Sequence, residues 1–184
     1  MLQGNLLKGT TIYLDAMRES DLEIVTTWYG STDFLRHLDA VPATPQLHGQ
    51  IQEWYKQRAK QENGFLFAVR HLADDRLLGY VELDSILWSH QVSWVVIAIG
   101  EADDRGHGFG RDALHTLMRF AFHELNLRRL QLTVFAYNKG AIHLYESLGF
   151  QREGTFREFL QRDGAFHDMY LYGLLRKEWL EKGA

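Results

Sequence analysis

Three glycines at alternate positions are the first feature of this sequence whose spacing indicates chemistry. Gly106, Gly108 and Gly110 stand in the stretch EADDRGHGFGRDALHTLMRFAFHEL, where an amphipathic helix begins. The first N–H groups of a helix have no partner inside the helix, and this end is also the positive end of the helix dipole. Glycines let the backbone approach a ligand closely and adopt positive φ. The stretch therefore predicts a binding site for a phosphate group.

Two common phosphate-binding loops do not fit this spacing. A Walker A loop ends in Gly-Lys-Ser/Thr, whereas Gly110 is followed by an arginine and an aspartate. The dinucleotide fingerprint G-x-G-x-x-G follows a first strand and needs an acidic residue about 20 positions further on. Here the spacing is G-x-G-x-G in mid-chain, and that position is Leu130. A third pattern, R/Q-x-x-G-x-G/A, fits Arg105, Gly108 and Gly110 after the strand WVVIAIG.

A second polar pair lies in the stretch NKGAIHLYESLGF. Asn138 and Tyr145 are seven residues apart, so two helical turns bring them to nearly the same face. Ala141 lies between them and is small enough to let a ligand pass. Asn138 is expected to cap this helix and Gly149 to end it. The alternative is that Tyr145 is an ordinary core residue and Asn138 only a helix cap.

The elements that must position these residues follow from hydrophobic periodicity. The predicted order is β-α-α-β-β-β-α-β-α-β-β, with a capping box at Ser20 and Glu23 and an N-cap at Thr44. The last two strands meet at an Asp-Gly turn in QRDGAF. We expect one α/β domain over residues 1–184, with a mixed sheet of about seven strands and helices on both faces.

Composition narrows the classes of function. The 184 residues carry a net charge of -4, which argues weakly against nucleic acid as a partner. There is no cysteine, so disulfides and thiol nucleophiles are excluded, and no His, Asp or Glu cluster has the spacing of a metal site. No apolar run approaches 18 residues, and MLQGNLLKGT lacks the apolar region of a signal peptide. A cytoplasmic protein with no membrane partner is expected.

The glycine stretch resembles motif A of the GNAT acyltransferase superfamily, and NKGAIHLYESLGF is similar to its next motif, N-x-x-A-x-x-L-Y-x-x-x-G-F. The stretch REFLQRDGAFHDMYLYGLLRKEW resembles the C-terminal part of the RimJ/RimL-type branch, which includes ribosomal-protein N-terminal acetyltransferases. The resemblance is specific from about Trp94 onwards, which is half the chain. It implies the GNAT fold, with a splayed pair of strands β4 and β5.

The resemblance implies acetyl-CoA as co-substrate and no metal. The pyrophosphate would lie on the glycine stretch, the pantetheine arm would pair with a strand edge, and Asn138 would contact coenzyme A. Tyr145 would act as general acid on the departing thiolate, a role that suits a phenol with a pKa of about 10. The implied cofactor-binding residues are Ile97, Ala98, Ile99, Arg105, Gly106, His107, Gly108, Phe109, Gly110, Asn138 and Tyr145.

An amine must lose a proton before it attacks the thioester. A carboxylate that takes this proton, directly or through water, is expected to serve as the general base. Glu82 and Asp84 share one face of their strand, and we take Glu82 as the candidate base. The alternative is that both are surface charges. Glu101 is a further candidate, and Asp33 and Glu53 lie in the segment that covers the acceptor side in this family.

The acceptor is expected to be the α-amine of a protein or peptide, such as a protein N-terminus. A polyamine keeps several positive charges and needs several convergent carboxylates, whereas acidic residues here are scattered. Two alternatives remain open: transfer to a small-molecule amine (a polyamine, amino acid or aminoglycoside), and a coenzyme A-binding module without catalysis. Relatives commonly form homodimers.

Overall fold

Seven strands form one mixed sheet, and a computed structural model describes residues 4–181. The strands are β1 (Ile12–Asp15), β2 (Phe65–His71), β3 (Leu77–Leu87), β4 (Val92–Ile99), β5 (Arg129–Phe135), β6 (Gln151–Arg162) and β7 (Ala165–Leu175). Their order across the sheet is β1-β2-β3-β4-β5-β7-β6. All neighbours are antiparallel except β4 and β5, which are parallel.

Helices cover both faces of this sheet, as the sequence predicts. They are α1 (Asp21–Tyr29), α2 (Thr32–Leu38), α3 (His48–Ala59), α4 (Phe109–Arg119), α5 (Lys139–Leu148) and α6 (Arg176–Glu181). One apolar core includes the buried residues of α4 and α5, and a second lies beneath α1, α2 and α3. No helix in residues 4–181 is long and apolar enough to cross a membrane.

The predicted helix starts in the first half of the chain are wrong in detail. Ser20 makes no capping bond with its side chain; instead the Asp21 carboxylate accepts the Arg18 N–H at 2.7 Å. The helix expected to have Thr44 as its N-cap begins three residues later, with Leu47 as N-cap and His48 as its first residue, and Gln50 Oε1 accepts the Leu47 N–H at 2.8 Å. Helix α2, which the periodicity did not indicate, is short and lies between the two predicted helices.

Helix α4 confirms its predicted apolar stripe. Leu114, Leu117, Met118, Ala121 and Phe122 are all fully buried, which at roughly 1.5–3 kcal/mol for each large side chain holds the helix on the sheet. The α-helix itself ends at Arg119, and the stripe continues through a π-helical turn.

A single carboxylate fixes the start of α4 relative to the sheet. Asp112, in the first turn, accepts the main-chain N–H groups of Thr10 at 2.8 Å, Thr11 at 2.7 Å and Ile12 at 3.2 Å. A side chain at Gly9 would place its Cβ 2.5 Å from this carboxylate, so the close approach requires glycine. The beginning of β1 thereby holds the helix end that carries the glycine stretch.

The β6–β7 connection is the predicted Asp-Gly turn. Asp163 and Gly164 have φ values of 51° and 78°, the pair of positive angles that a type I′ turn requires. The turn brings the tip of this hairpin toward α2, at one end of the site described next.

Candidate functional site

The strands β4 and β5 diverge in mid-sheet and open a cleft. Val92, Ser93 and Trp94 pair with residues 129–131, and no further pairing joins the two strands, although β4 runs on to Ile99 and β5 to Phe135. The expected splayed pair is therefore present. Beyond Trp94 the main-chain groups of β4 that point toward β5 have no strand partner on that side, so they are available to a ligand that lies along the edge.

A cavity of about 910 Å³ occupies this cleft. Its walls come from β4, β5, α5, the loop before α4, the segment that follows α2, and the β6–β7 hairpin. The residues that line it include Asp84 of β3 and Trp94, Val96, Ile97, Ala98, Ile99, Arg105, Gly106, Gly108, Gly110, Arg111, Val134, Asn138, Ala141 and Tyr145. Phe34, His37, Leu38, Asp39 and Ala40 line it from α2 and the segment after it, and Phe159 and Met169 line it from the β6–β7 hairpin.

The glycine loop forms one end of the cavity. Gly106 and Gly108 have φ values of 81° and 88°, and Gly108 is the N-cap of α4. A Cβ at either position would meet no protein atom within 4 Å, so both glycines leave open space in front of the helix end. The loop fits a phosphate-bearing ligand, because the backbone is accessible and the first N–H groups of α4 lie beside it. His107 between them is exposed.

The cation expected at this end is engaged elsewhere. Arg105 Nη1 donates to Asp33 Oδ2 at 3.2 Å, and its Nη2 lies 3.5 Å from the Gly100 carbonyl oxygen, so its guanidinium is drawn toward α2. Arg111 also lines the cavity and donates to Ser147 Oγ at 2.6 Å. Arg111 is not among the residues that the sequence predicts for this site, although its place just after Gly110 in the first helical turn is a usable signal.

Asn138 and Tyr145 both line the cavity from α5. Asn138 Oδ1 accepts the Ala141 N–H at 3.2 Å, which confirms the predicted cap. Tyr145 is 7% exposed, and its ring packs edge-on against Phe150 with centroids 6.0 Å apart. Burial raises the pKa of Tyr145 to about 12. No residue between 4 and 181 hydrogen-bonds its hydroxyl, so that group is a protonated donor without a protein partner.

The two carboxylates on β3 are held by one arginine of α3. Arg58 Nε lies 3.1 Å from Glu82 Oε1, and Arg58 Nη1 lies 3.4 Å from Asp84 Oδ1. The Glu82 side chain is only 3% exposed, so the alternative of a plain surface charge is wrong for this residue. Burial raises the pKa of Glu82 to about 7, against the opposing effect of Arg58. Asp84 lines the cavity, whereas Glu82 lies behind its wall.

The other acidic candidates are less favourably placed. Glu101 accepts the Trp28 indole N–H at 2.9 Å, which ties it to α1. Asp33 pairs with Arg105 and with His37, and Glu53 is exposed on α3 outside the cavity. No three His, Asp or Glu side chains within the described part of the chain converge as a metal site would require.

Hydrogen bonds join α2 and the segment after it to the β6–β7 hairpin, and we call this set of contacts the clasp. Arg162 Nη2 at the end of β6 lies 3.1, 3.4 and 3.0 Å from the carbonyl oxygens of Asp39, Ala40 and Val41. Arg36 of α2 pairs with Asp163 in the hairpin turn, and the Tyr137 hydroxyl donates to the Arg36 carbonyl. The clasp thus connects residues 36–41 with the β6–β7 hairpin, and both segments contribute residues to the cavity wall.

Comparison with known proteins gives this architecture a family. A family model described as the acetyltransferase (GNAT) domain matches residues 11–151. The chain is 26% identical to the SPbeta prophage-derived uncharacterized N-acetyltransferase YokL of Bacillus subtilis, over 93% of each chain. It is 29% identical to YdaF of Bacillus subtilis, provisionally named a ribosomal N-acetyltransferase, over 70% of this chain and 68% of that one.

The chain is also similar to a solved structure of a protein bound to its ligands. The crystal structure of spermidine N-acetyltransferase from Vibrio cholerae with CoA and spermine matches with a TM-score of 0.83 and 26% identity, covering 92% of this chain and 98% of that one. The splayed strands, the open glycine loop before α4 and these matches agree with one another. The chain therefore belongs to the GNAT family and is an acetyl-CoA-dependent N-acetyltransferase.

Proposed function

We propose that the protein transfers the acetyl group of acetyl-CoA directly to the primary amine of a small molecule. We assign the acceptor to the part of the cavity that α2, the segment after it and the β6–β7 hairpin line, and we call this part the acceptor end. The observation that carries the proposal is the clasp, which ties these segments together. A peptide acceptor needs a groove along which its chain can continue, and a bridge across that end opposes such a path. The similarity to a spermidine N-acetyltransferase supports a small acceptor.

Acetyl-CoA fits the part of the cavity that the glycine loop and the edge of β4 form, and it supplies an acetyl thioester. The main chain of Ile97, Ala98 and Ile99 offers N–H and C=O groups to the pantetheine amides, in the manner of an added strand. The loop from Arg105 to Gly110 offers main-chain N–H groups to the pyrophosphate. Because Arg105 is held by Asp33, we assign the cationic contact with phosphate to Arg111.

Tyr145 is the proposed general acid. The amine nitrogen attacks the thioester carbonyl, the carbon–sulfur bond breaks, and the thiolate accepts the phenolic proton. The proton that the new amide nitrogen loses then returns to the phenolate and restores Tyr145. The raised pKa keeps the phenol protonated at all ordinary pH values, so it always enters the reaction as a donor. Its hydroxyl makes no competing bond to the described residues. Much of the rate would come from positioning, since the transfer needs no covalent enzyme intermediate.

Glu82 remains the proposed general base. It lies behind the cavity wall, so it would take the ammonium proton through an intervening water, with Asp84 beside that path. A carboxylate whose pKa is near 7 is well matched to this role at neutral pH. Arg58 holds both carboxylates and thereby sets where the proton is received.

The charges at the acceptor end favour an amine with one positive centre. Asp39 and Asp84 are the carboxylates that line it, and Asp84 is already paired with Arg58. The apolar side chains there, Phe34, Leu38, Phe159 and Met169, would contact the remainder of the molecule. A polyamine would leave further cationic nitrogens beside these apolar groups, at a cost in desolvation.

A peptide α-amine is the second candidate. The same shortage of convergent carboxylates is compatible with a single α-ammonium group, and the likeness to YdaF and to the RimJ/RimL-type branch points the same way. The cytoplasmic location and the possible homodimer stay predictions from the sequence.

A panel of acceptors tests the proposal. Release of free coenzyme A would be measured with 2-phenylethylamine, spermidine and tetrapeptides with a free α-amine, at matched concentrations. We expect kcat/KM for the small monoamine to exceed that for any peptide by at least about ten-fold. Turnover of peptides alone would establish the second candidate, and turnover of spermidine alone would establish a polyamine acceptor. No turnover by protein that binds acetyl-CoA would indicate a binding module.

A further inference from the structure

We propose that Arg162 determines acceptor size by holding the segment Asp39–Val41 against the β6–β7 hairpin, so that amines attached to a longer chain are excluded. Arg162 is a positioning residue, since it acts through the wall that it holds. The inference rests on the proposed function, because it explains how a small acceptor is selected.

The contacts of Arg162 are concentrated on the main chain. One nitrogen, Nη2, lies within hydrogen-bond distance of the carbonyl oxygens of three successive residues, 39–41. Its Nε is buried and has no hydrogen-bond partner among residues 4–181. A guanidinium that is partly withdrawn from water and offers its donors to carbonyls makes charge-assisted bonds, which are stronger than neutral ones. A single cation therefore fixes three consecutive residues that lie beyond α2.

The segment held by Arg162 is itself a wall of the acceptor end. Asp39 and Ala40 line one side, while Phe159 and Met169 of the hairpin line the other. Arg162 is the last residue of β6, the strand that carries Phe159. Its hydrogen bonds therefore set the distance between the segment Asp39–Val41 and the hairpin. Without them, the segment is free to move away from the hairpin and the acceptor end can open.

The second tie of the clasp contributes less. Arg36 and Asp163 form an exposed ion pair, with 35% and 78% of their side chains accessible. Such pairs are weakened by solvent and by the entropy of two long side chains. The geometry therefore makes Arg162 the main determinant and the Arg36–Asp163 pair a minor one.

Binding of two coenzyme A conjugates tests this without any need for turnover. In each, an acetyl bridge joins the sulfur of coenzyme A to an amine, which is ethylamine in one conjugate and a tetrapeptide α-amine in the other. Calorimetry would give the ratio of their dissociation constants for wild type, Arg162→Ala, Arg162→Lys and Arg157→Ala. Arg157 is an exposed arginine on the same strand and makes none of the clasp contacts. Free coenzyme A would report the integrity of the other end of the cavity.

We expect wild type to bind the ethylamine conjugate more tightly than the peptide conjugate by on the order of ten-fold or more. Arg162→Ala should remove most of this preference, Arg162→Lys should restore part of it, and Arg157→Ala should leave it unchanged, with equal affinity for free coenzyme A throughout. A wild type without the preference, or an Arg162→Ala variant that retains it, would overturn the inference. The proposed function fails separately, in the acceptor panel, if peptides or spermidine are the only substrates.

Discussion

The two ends of the cavity are built from different parts of the polypeptide. The end that we propose for coenzyme A consists largely of main chain: the unpaired edge of β4, two glycines with positive φ and the first turn of α4. The acceptor end consists of side chains from α2, the segment after it and the β6–β7 hairpin. The binding groups of the first end are therefore set by the backbone conformation, and those of the second end are set by the identity of its side chains.

This contrast explains what each end can recognise. Main-chain groups present the same donors and acceptors whatever the side chains are, so a cofactor with amides and phosphates can be shared by a whole family. Side chains differ from one relative to the next, so the acceptor can differ while the fold is kept. Tyr145 lines the same cavity and is the proposed general acid, so it is the most informative residue to replace.

Tyr145→Phe should have the largest effect. It removes one hydroxyl that has no partner in the described residues, while the ring still packs against Phe150. We expect kcat to fall by a factor on the order of 10² to 10⁴, with little change in KM for acetyl-CoA or in thermal stability. Single-turnover kinetics would separate chemistry from product release. An unaltered chemical step would leave Tyr145 as a core residue only.

Gly108→Val should disable the main-chain end of the cavity. The side chain would occupy the open space before α4, and we expect acetyl-CoA affinity to fall by on the order of 100-fold through lost bonds to phosphate. Valine at a φ of 88° is also strained, so Gly164→Val is the matched control, with a φ of 78° and equally open surroundings. Equal calorimetric affinities for the two variants would place the pyrophosphate elsewhere.

Glu82→Gln should change the pH dependence of activity. Because the pKa of Glu82 is about 7, wild-type kcat/KM should rise with pH through 7, well below the ionisation of an amine acceptor at about 10. We expect the variant to lose this rise of kcat/KM with pH. At pH 8 its activity should be lower than that of wild type by about ten-fold, since the base acts through water. If Glu82→Gln keeps the rise of kcat/KM with pH, then Asp84 is the general base instead of Glu82, and Asp84→Asn is the parallel variant to measure.

The raised pKa of Glu82 also affects the stability of the folded protein, and the same variant tests this. The folded-state pKa lies above the ordinary value of 4.5, so the folded protein holds a proton that the unfolded chain has lost between these pH values. This contribution is fully present below about pH 4.5 and is lost as pH rises through 7, up to roughly 3 kcal/mol. Urea unfolding of wild type and Glu82→Gln at pH 5 and pH 8 should show the variant gaining relative stability at the higher pH.

Asp163→Asn should have the smallest effect at the side-chain end. It removes the exposed pair with Arg36 but keeps the residue shape that the hairpin turn accepts, because asparagine also tolerates positive φ. We expect kcat/KM for small amines to change by no more than about three-fold. The difference between wild type and variant should become smaller with added salt, because salt screens the exposed pair. A larger loss would mean that the Arg36 tie, rather than Arg162, holds the clasp.

The sequence predicted the main-chain end far better than the acceptor end. The glycine spacing, Asn138 and the stripe on α4 are local patterns whose physical requirements are visible over a few residues. The actual partner of Arg105 is Asp33, more than 70 positions away, and nothing local to either residue indicates the other. Helix α2 was missed because its seven residues are too few to establish a periodicity.

The acceptor end also shows where pattern reasoning fails for charged residues. Alternation along β3 correctly placed Glu82 and Asp84 on one face, but it could not reveal that α3 covers that face and buries Glu82. The three carbonyl contacts of Arg162 involve main-chain atoms, which have no sequence signature at all. Such features depend on how distant segments meet, so they require the folded structure.

The separation of β4 from β5 leaves part of the folded chain dependent on its ligand. Main-chain groups that a continuous sheet would satisfy internally are instead satisfied by whatever lies along β4. A ligand that binds only the folded state adds RT ln(1 + [L]/Kd) to its stability, about 2.7 kcal/mol at a hundred times Kd. The melting temperature of the protein, and with it its resistance to proteolysis, should therefore rise with the concentration of acetyl-CoA.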